Sequence, residues 1–245
     1  MEIGIINYPV VAGRKEPNDR SEMVTQHLFG ESYEVIENQP NWLLIKNLRD
    51  DYTSWIDRKL HTSWDGKYPG RHTLSHPFSA FIFKDKKLFL PSGSIVRSEL
   101  MERIDSPYSF KSYDDIPKIA LSYLNAPYLW GGKTIWGMDC SGFTQVVFQI
   151  CGVQICRDAS EQAELGETVE FNNMLEPGDL AFFDNEESNI THVGICLGKE
   201  KIIHASGFVR IDKFDHQGIY NETLGKYTHK LRIIKRIKDL RNLQA

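Results

Sequence analysis

No run of about 20 consecutive apolar residues occurs anywhere in the 245-residue chain, so nothing in it spells a membrane helix. The start, Met1-Glu2-Ile3-Gly4, lacks the basic segment that opens a signal peptide, and the chain reads as cytoplasmic, or periplasmic if a leader had been removed. No dense Lys/Arg run is present: 29 basic residues against 33 acidic leave a formal charge of −4. Without a basic patch there is no electrostatic footprint for a nucleic-acid backbone or an anionic membrane, and the expected partner is small or neutral. None of the four cysteines (Cys140, Cys151, Cys156, Cys196) stands in a C-x-x-C pair, which removes a zinc knuckle and a thioredoxin-type redox pair. Fixed-period repeats and low-complexity tracts are also missing. What is present is 41% apolar residues, enough for real cores, which excludes disorder, collagen and coiled coil. At roughly 150 residues per domain, the length allows one large domain or two to three small ones.

The hydrophobic pattern changes period along the chain. Up to about residue 110 it is short and β-like: Glu34-Val35-Ile36, Trp42-Leu43-Leu44-Ile45 and Trp55-Ile56 are separated by turn-forming residues, and Phe81-Ile82-Phe83, Leu88-Phe89-Leu90 and Ser94-Ile95-Val96 form a second group. One small β-barrel is expected at 1–65, and a second β domain or a linker at 66–110. From about 112 helices enter. Asp115 caps a segment that tolerates Pro117 in its first turn and stops at Asn125-Ala126-Pro127. Phe143, Val146, Val147 and Ile150 then give the apolar stripe of a second helix, with Cys140 at its N-terminus. Strand-like runs follow at Leu180–Phe183, His192–Leu197, Lys201–Ala205 and, weakly, Leu231–Ile237, and the last residues, Lys238 to Ala245, are expected to fray.

A thiol is a nucleophile as the thiolate, and the unpaired N–H groups at a helix start are expected to lower its pKa. Cys140 has that position, whereas Cys151, Cys156 and Cys196 read as small buried hydrophobes. His192 and His204 flank a turn at Gly198-Lys199-Glu200. With an odd number of loop residues both histidines project from one face, Gly194 lies opposite His204, and the two imidazoles become diagonal neighbours about 7–8 Å apart at the backbone. One ring could then activate the thiol while the other fixes its tautomer. The remaining histidines, His27, His61, His72, His76, His216 and His229, have no comparable setting and read as surface or core residues.

In order, Ala126-Pro127-Tyr128-Leu129-Trp130-Gly131-Gly132, Met138-Asp139-Cys140-Ser141-Gly142-Phe143, Pro177-Gly178-Asp179-Leu180, His192-Val193-Gly194-Ile195 and Ile203-His204-Ala205-Ser206 resemble the NlpC superfamily of papain-like cysteine peptidases that cut murein peptides. The resemblance covers about residues 112–237. It implies an α+β fold, a papain-like catalytic domain over 111–245, and no metal or cofactor. It makes Cys140 the nucleophile, His192 the base and His204 the orienting residue, with the Tyr128 hydroxyl and the Cys140 N–H stabilising the oxyanion.

Residues 1–65 resemble a bacterial SH3-like domain through Arg14, Pro17, Ser21-Glu22, Gly30-Glu31, Trp42 and Asp51-Tyr52-Thr53-Ser54-Trp55. The whole arrangement is similar to the γ-D-glutamyl-L-diamino acid endopeptidases, in which SH3-like domains close one end of the catalytic groove. That similarity implies a small murein peptide as partner, a free N-terminal L-Ala on it and a role in wall-peptide recycling; a monomer is the expected state, though the sequence does not determine it. A buried ammonium must meet carboxylates or other polar groups, and Glu22, Tyr52 and Asp158 are the candidates. Asp139 and Ser141 are implied to help hold the D-Glu portion and its loop. Arg157 suits a substrate carboxylate or a structural ion pair, and Trp130 and Trp136 suit a groove wall or a core. Ala159 stands where a serine is usual after this Asp, with Ser160 one place later. Two other readings are a catalytically silent murein-binding module and a papain-like amidase or acyltransferase.

Overall fold

The computed structural model describes residues 2–66, 71–104, 112–170, 174–198 and 200–238. They divide into two compact units, Met1–Phe110 with Trp130–Ile135, and Lys111–Leu129 with Trp136–Ala245.

In the first unit, β1 (Glu2–Ile5), β2 (Val10–Arg14), β3 (Met23–Leu28), β4 (Ser32–Asn38), β5 (Trp42–Asn47) and β6 (Thr53–Asp57) form one sheet in the order β1-β4-β5-β6-β2-β3. All its ladders are antiparallel. Alternation drives it: Leu43 and Ile45 of β5 point inward onto Ile6, Val11, Tyr33 and Ile56. The three runs read as strands before residue 60 lie in β4, β5 and β6. Residues 71–104 form two separate ladders, β7 (Arg71–Thr73) with β10 (Ile95–Arg97) and β8 (Phe78–Phe83) with β9 (Lys86–Pro91). Their core of Leu74, Phe81, Leu90, Val96 and Leu100 is completed by Phe29 from the end of β3. The expected span 66–110 thus shares a core with the preceding domain in its described part; 67–70 and 105–110 lie outside the described residues.

The second unit has α1 (Ile116–Leu121) with Pro117 in its first turn; Asp115 stands at its N-cap position but makes no side-chain cap bond, its carboxylate accepting instead from the Ser112 N–H and hydroxyl. In the chain, the two-residue strand β11 (Lys133–Thr134) belongs to the first unit, and in the second unit β12 (Gly137–Met138) precedes α2 (Cys140–Ile150), which is buried along its whole length. After α3 (Ala159–Gln162) come β13 (Glu167–Thr168), β14 (Leu180–Asp184), β15 (Ile190–Gly198), β16 (Lys201–Ser206), β17 (Phe208–Asp215), β18 (Gly218–Asn221) and β19 (Lys226–Arg236). Their order is β13-β19-β14-β15-β16-β17-β18, and β18 also pairs with β19, so six strands close into an antiparallel ring. Closure creates an interior, filled by Ala181, Phe183, Cys196, Ile202, Phe214, Ile219 and Ile234. On the outside, α2 packs against β15 and β16.

β17 and β18 have no counterpart among the expected strands. The inward positions of β17 include Arg210 and Asp212, so the apolar alternation that marks a strand is broken by the residues that matter most below. Lys199 in the expected turn and residues 239–245 of the tail lie outside the described residues.

The Pro177-Gly178-Asp179 turn is tied to the last strand. Asp179 is wholly buried and takes Nε and Nη2 of Arg236 at 2.7 and 2.8 Å, and also accepts the Glu176 N–H at 2.8 Å. Removing one partner of such a pair leaves an uncompensated buried charge, at a cost of about 3–5 kcal/mol. Arg236→Met is therefore expected to lower the unfolding free energy by about that amount, read by urea denaturation.

Candidate active site

Cys140 opens α2, and Asp139 is its N-cap, accepting the Gly142 N–H at 2.7 Å. Asp139 is in turn clamped by the buried Arg157, with Nη2 on Oδ2 at 2.6 Å and Nη1 on Oδ1 at 3.1 Å. The same Nη1 donates to the Ser141 hydroxyl at 2.8 Å. The planar guanidinium thus holds the residues on both sides of the cysteine in one geometry. The thiol is buried, 4.0 Å from the Thr191 carbonyl, and receives the Val193 N–H, which sets it over the two neighbours of His192 in β15. Among the described residues, Sγ makes no hydrogen bond to the His192 ring; such contacts commonly tighten only when substrate binds.

Burial, followed by the nearby Asp139 charge, pushes the Cys140 thiol up to about 11, against the opposing pull of the Val193 N–H, Arg157 and the Ser141 N–H. This reverses the sequence expectation of a lowered pKa, because desolvation outweighs the N-terminal end of α2. The resting nucleophile is a neutral thiol, and its proton must leave as it reacts. Tyr128 is pushed up to about 12, by burial first and then by the charges of Cys140 and Asp139. Its hydroxyl therefore stays a donor at neutral pH, electrostatically coupled to the thiol.

His192 lies opposite Phe183, and Gly194 opposite His204, so both imidazoles point into the ring interior. The shift of register between Cys196 and Gly198 keeps them on the same face. A Cβ on Gly194 would come within 2.9 Å of the His204 Cβ, so the glycine makes room for the imidazole. His192 Nε2 meets His204 Nδ1 at 2.8 Å, and His204 Nε2 meets Asp212 Oδ2 at 3.1 Å. Asp212 Oδ1 accepts Arg210 Nη2 at 2.8 Å.

The network assigns the protons. Ionised Asp212 can only accept, so His204 Nε2 carries a proton and donates it; neutral His204 then accepts at Nδ1, and His192 Nε2 is the donor. Nδ1 of His192 is left as a lone pair, which is what a base needs. Both rings are held below the usual imidazole range, His192 by burial and then by the His204 and His229 charges, His204 by burial against the raising effect of Asp212. Although burial opposes it, the hydrogen bonds from His204 and Arg210 hold the Asp212 carboxyl low.

Residues 125–228 match the NlpC/P60 family, and residues 13–59 the bacterial dipeptidyl-peptidase SH3 domain. A γ-D-glutamyl-L-lysine dipeptidyl-peptidase of Bacillus subtilis is 43% identical, covering 74% of this chain and 71% of its own. The chain belongs to the NlpC/P60 family. A dipeptidyl-peptidase 6 of Lysinibacillus sphaericus is 24% identical over 82% of this chain and 88% of its own. The crystal structure of an NlpC/P60 family protein from Bacillus cereus has the same fold, with a TM-score of 0.80 at 18% identity over 97% of this chain and 100% of that one. As an NlpC/P60 protein with an SH3-like β domain in front, this chain is a cysteine peptidase, a hydrolase of peptidoglycan peptides.

Of the residues singled out from the sequence, the second unit of this NlpC/P60 enzyme holds Tyr128, Asp139, Cys140, Ser141, Asp158, His192 and His204. Asp139 and Ser141 are committed to Arg157, and the buried ion pair is the alternative that Arg157 takes. Asp158 is the exposed N-cap of α3. Glu22 and Tyr52 lie in the first unit; Glu22 accepts the Trp130 indole N–H at 2.7 Å and pairs with Lys15 at 3.4 Å.

Sequence reasoning missed two residues. Asp212 sits on the unrecognised β17. His229, read as an ordinary surface or core residue, instead stacks on His192 with ring centroids 4.2 Å apart and planes at 27°. The available signal was the period-two series Tyr227, His229, Leu231. Nitrogens of His192, His204 and His229 lie within 4.8 Å of one another. Imidazole lone pairs lie in the ring planes, however, so two stacked rings do not aim at one ion, and His204 is bonded at both nitrogens. His192 and His204 form a hydrogen-bonded relay with His229 stacked beside it, and the three rings do not fit a metal centre.

Asp212→Asn lets an amide donate to His204 Nε2, which inverts the tautomers down to His192. Turnover is expected to fall by about 10²–10⁴ with KM little changed, by analogy with the loss of an orienting carboxylate elsewhere; steady-state kinetics checks it. A second expectation concerns acid. His229 is lowered to about 4 by burial first, and His192 and His204 are also lowered. Below pH 6.5 the unfolded chain binds protons that the folded one excludes, so stability is complete above that pH and drains as pH falls towards 4. In His229→Gln the drop in Tm between pH 7 and pH 5 should be smaller than in the wild type.

Proposed function

We propose that this enzyme hydrolyses the γ-D-glutamyl bond to an L-diamino acid, L-Lys or meso-diaminopimelate, in murein peptides with a free N-terminal L-Ala. The product is L-Ala-γ-D-Glu, and the setting is wall-peptide recycling. The observation that carries this reading is the 43% identity, across 74% of the chain, to a relative named for the γ-D-glutamyl-L-lysine bond.

In the proposed mechanism Nδ1 of His192 takes the thiol proton as Sγ attacks the γ-carbonyl carbon. Charge develops on the carbonyl oxygen, where the Tyr128 hydroxyl and the Cys140 N–H donate; the loss of one such donor typically costs about 2.7–4 kcal/mol. Collapse expels the diamino acid's amine, protonated by His192, and leaves a thioester. A water deprotonated by the same Nδ1 hydrolyses it and returns the proton to sulfur. His204 and Asp212 hold the ring and spread the transient positive charge. Glu22, Tyr52 and Asp158 are assigned to the L-Ala ammonium, and Asp139 and Ser141, through Arg157, to the loop that receives D-Glu.

L-Ala-γ-D-Glu-L-Lys incubated with the wild type should yield L-Ala-γ-D-Glu by mass spectrometry, and Cys140→Ala should yield none. Absence of that product from the wild type overturns the reading. N-acetylating the L-Ala should abolish cleavage; equal cleavage of both peptides would remove the ammonium site.

A further inference from the structure

Residues Trp130–Ile135 belong to the first unit, although the chain on both sides of them belongs to the second. The two ends of that excursion meet inside the second unit, where the Leu129 N–H donates to the Met138 carbonyl at 3.2 Å and the Met138 N–H to the Pro127 carbonyl at 3.0 Å. One end therefore carries Tyr128, assigned to the oxyanion, and the other runs into Asp139 and Cys140.

Inside the first unit the excursion is tied at several points. Lys133 Nζ pairs with Glu31 Oε1 at 3.4 Å, and both side chains are buried. The Lys133 N–H donates to Gln26 Oε1 at 2.8 Å, and the Trp130 indole N–H to Glu22 Oε1 at 2.7 Å. Gly131, at φ +76°, runs so close to β3 that a Cβ on it would come within 2.4 Å of the Met23 carbonyl oxygen. Glu31 is itself built in, accepting from the Asn47 amide at 2.9 Å and from the Leu28 N–H at 3.1 Å. Although burial opposes it, the Lys133 charge holds the Glu31 carboxyl down at about 2, so it is a carboxylate at neutral pH.

A buried ion pair adds little stability over apolar side chains of the same size, because both charges give up their hydration; its best-attested use is to fix register. A slip of the excursion is passed along the main chain to Tyr128, two residues before Trp130. Cys140 is guarded from it by the Arg157 clamp on Asp139. The Tyr128 hydroxyl makes no hydrogen bond among the described residues, and only its backbone places it. We propose that Lys133, through its pair with Glu31, is a positioning residue for the Tyr128 oxyanion donor. The inference rests on the reaction proposed above. Misplacing a reacting group by about 1 Å can cost on the order of 10²-fold in rate, so a register error is large enough to be read.

The test is a double-mutant cycle between Lys133→Met and Tyr128→Phe, with L-Ala-γ-D-Glu-L-Lys as substrate and each variant assayed well below its Tm. Tyr128→Phe is expected to lower kcat by about 10²-fold or more. With Tyr128 present, Lys133→Met should lower kcat about tenfold and leave KM within about twofold; in the Tyr128→Phe background the same change should cost less than about twofold. A merely structural role would cost the same in both backgrounds. Glu31→Gln combined with Lys133→Met leaves no unpaired buried carboxylate and should show the same pattern. Gln26→Met, at a half-buried position of β3 that holds the Lys133 N–H, carries the cycle if neither Lys133 variant folds. Equal losses in the two backgrounds, an unchanged kcat, or a loss carried by KM overturns the positioning role while leaving the reaction standing. A Tyr128→Phe enzyme with full kcat removes the donor and the role of Lys133 with it. Absence of cleavage by the wild type overturns the reaction and this inference together.

Discussion

Closing six strands into a ring leaves one dry interior, and the imidazoles placed there have to be neutral. That constraint organises the site. Desolvation lowers the pKa of His192, His204 and His229, and the carboxylate at the inner end of the relay, Asp212, is held low by the bonds from His204 and Arg210. A fixed anion at one end and two neutral rings in series leave one arrangement of protons, with the base lone pair on His192 Nδ1. Burial at the start of α2, outside the ring, raises the Cys140 thiol up to about 11, so the base has to take its proton as it reacts.

Positioning of the thiol rests on a second buried charge. Arg157 joins the N-cap of α2 to the residue after the cysteine, and it is among the largest fully buried side chains in the molecule. An Asp cap by itself stabilises a helix start by about 1 kcal/mol. Locked by a two-pronged guanidinium, it also fixes the direction of the first turn, and α2 packed against β15 and β16 then carries Sγ to the strand that bears His192.

Much of this was legible in the residues. The spacing Phe143, Val146, Val147, Ile150 places Cys140 at a helix start, and α2 begins there. Parity in the hairpin puts His192 and His204 on one face with Gly194 opposite His204, and the ladder has that register. Asp212 and His229 were not legible for a definite reason. β17 turns Arg210 and Asp212 inward, so its pattern lacks the apolar alternation by which strands are recognised, and His229 reaches His192 only because β19 pairs with both β14 and β18.

The sequence by itself determined the elements and the chemistry they carry: a cysteine behind an Asp cap, a histidine hairpin with glycine as the space between, and β-rich residues ahead of them. These follow from local periods of 2 and 3.6 and from the steric needs of single residues. Only the tertiary structure decided the protonation states, the ends of the relay and the partner of Arg157. Those depend on how much water is removed and on which distant residues meet across the closed ring, and neither quantity is local in the chain.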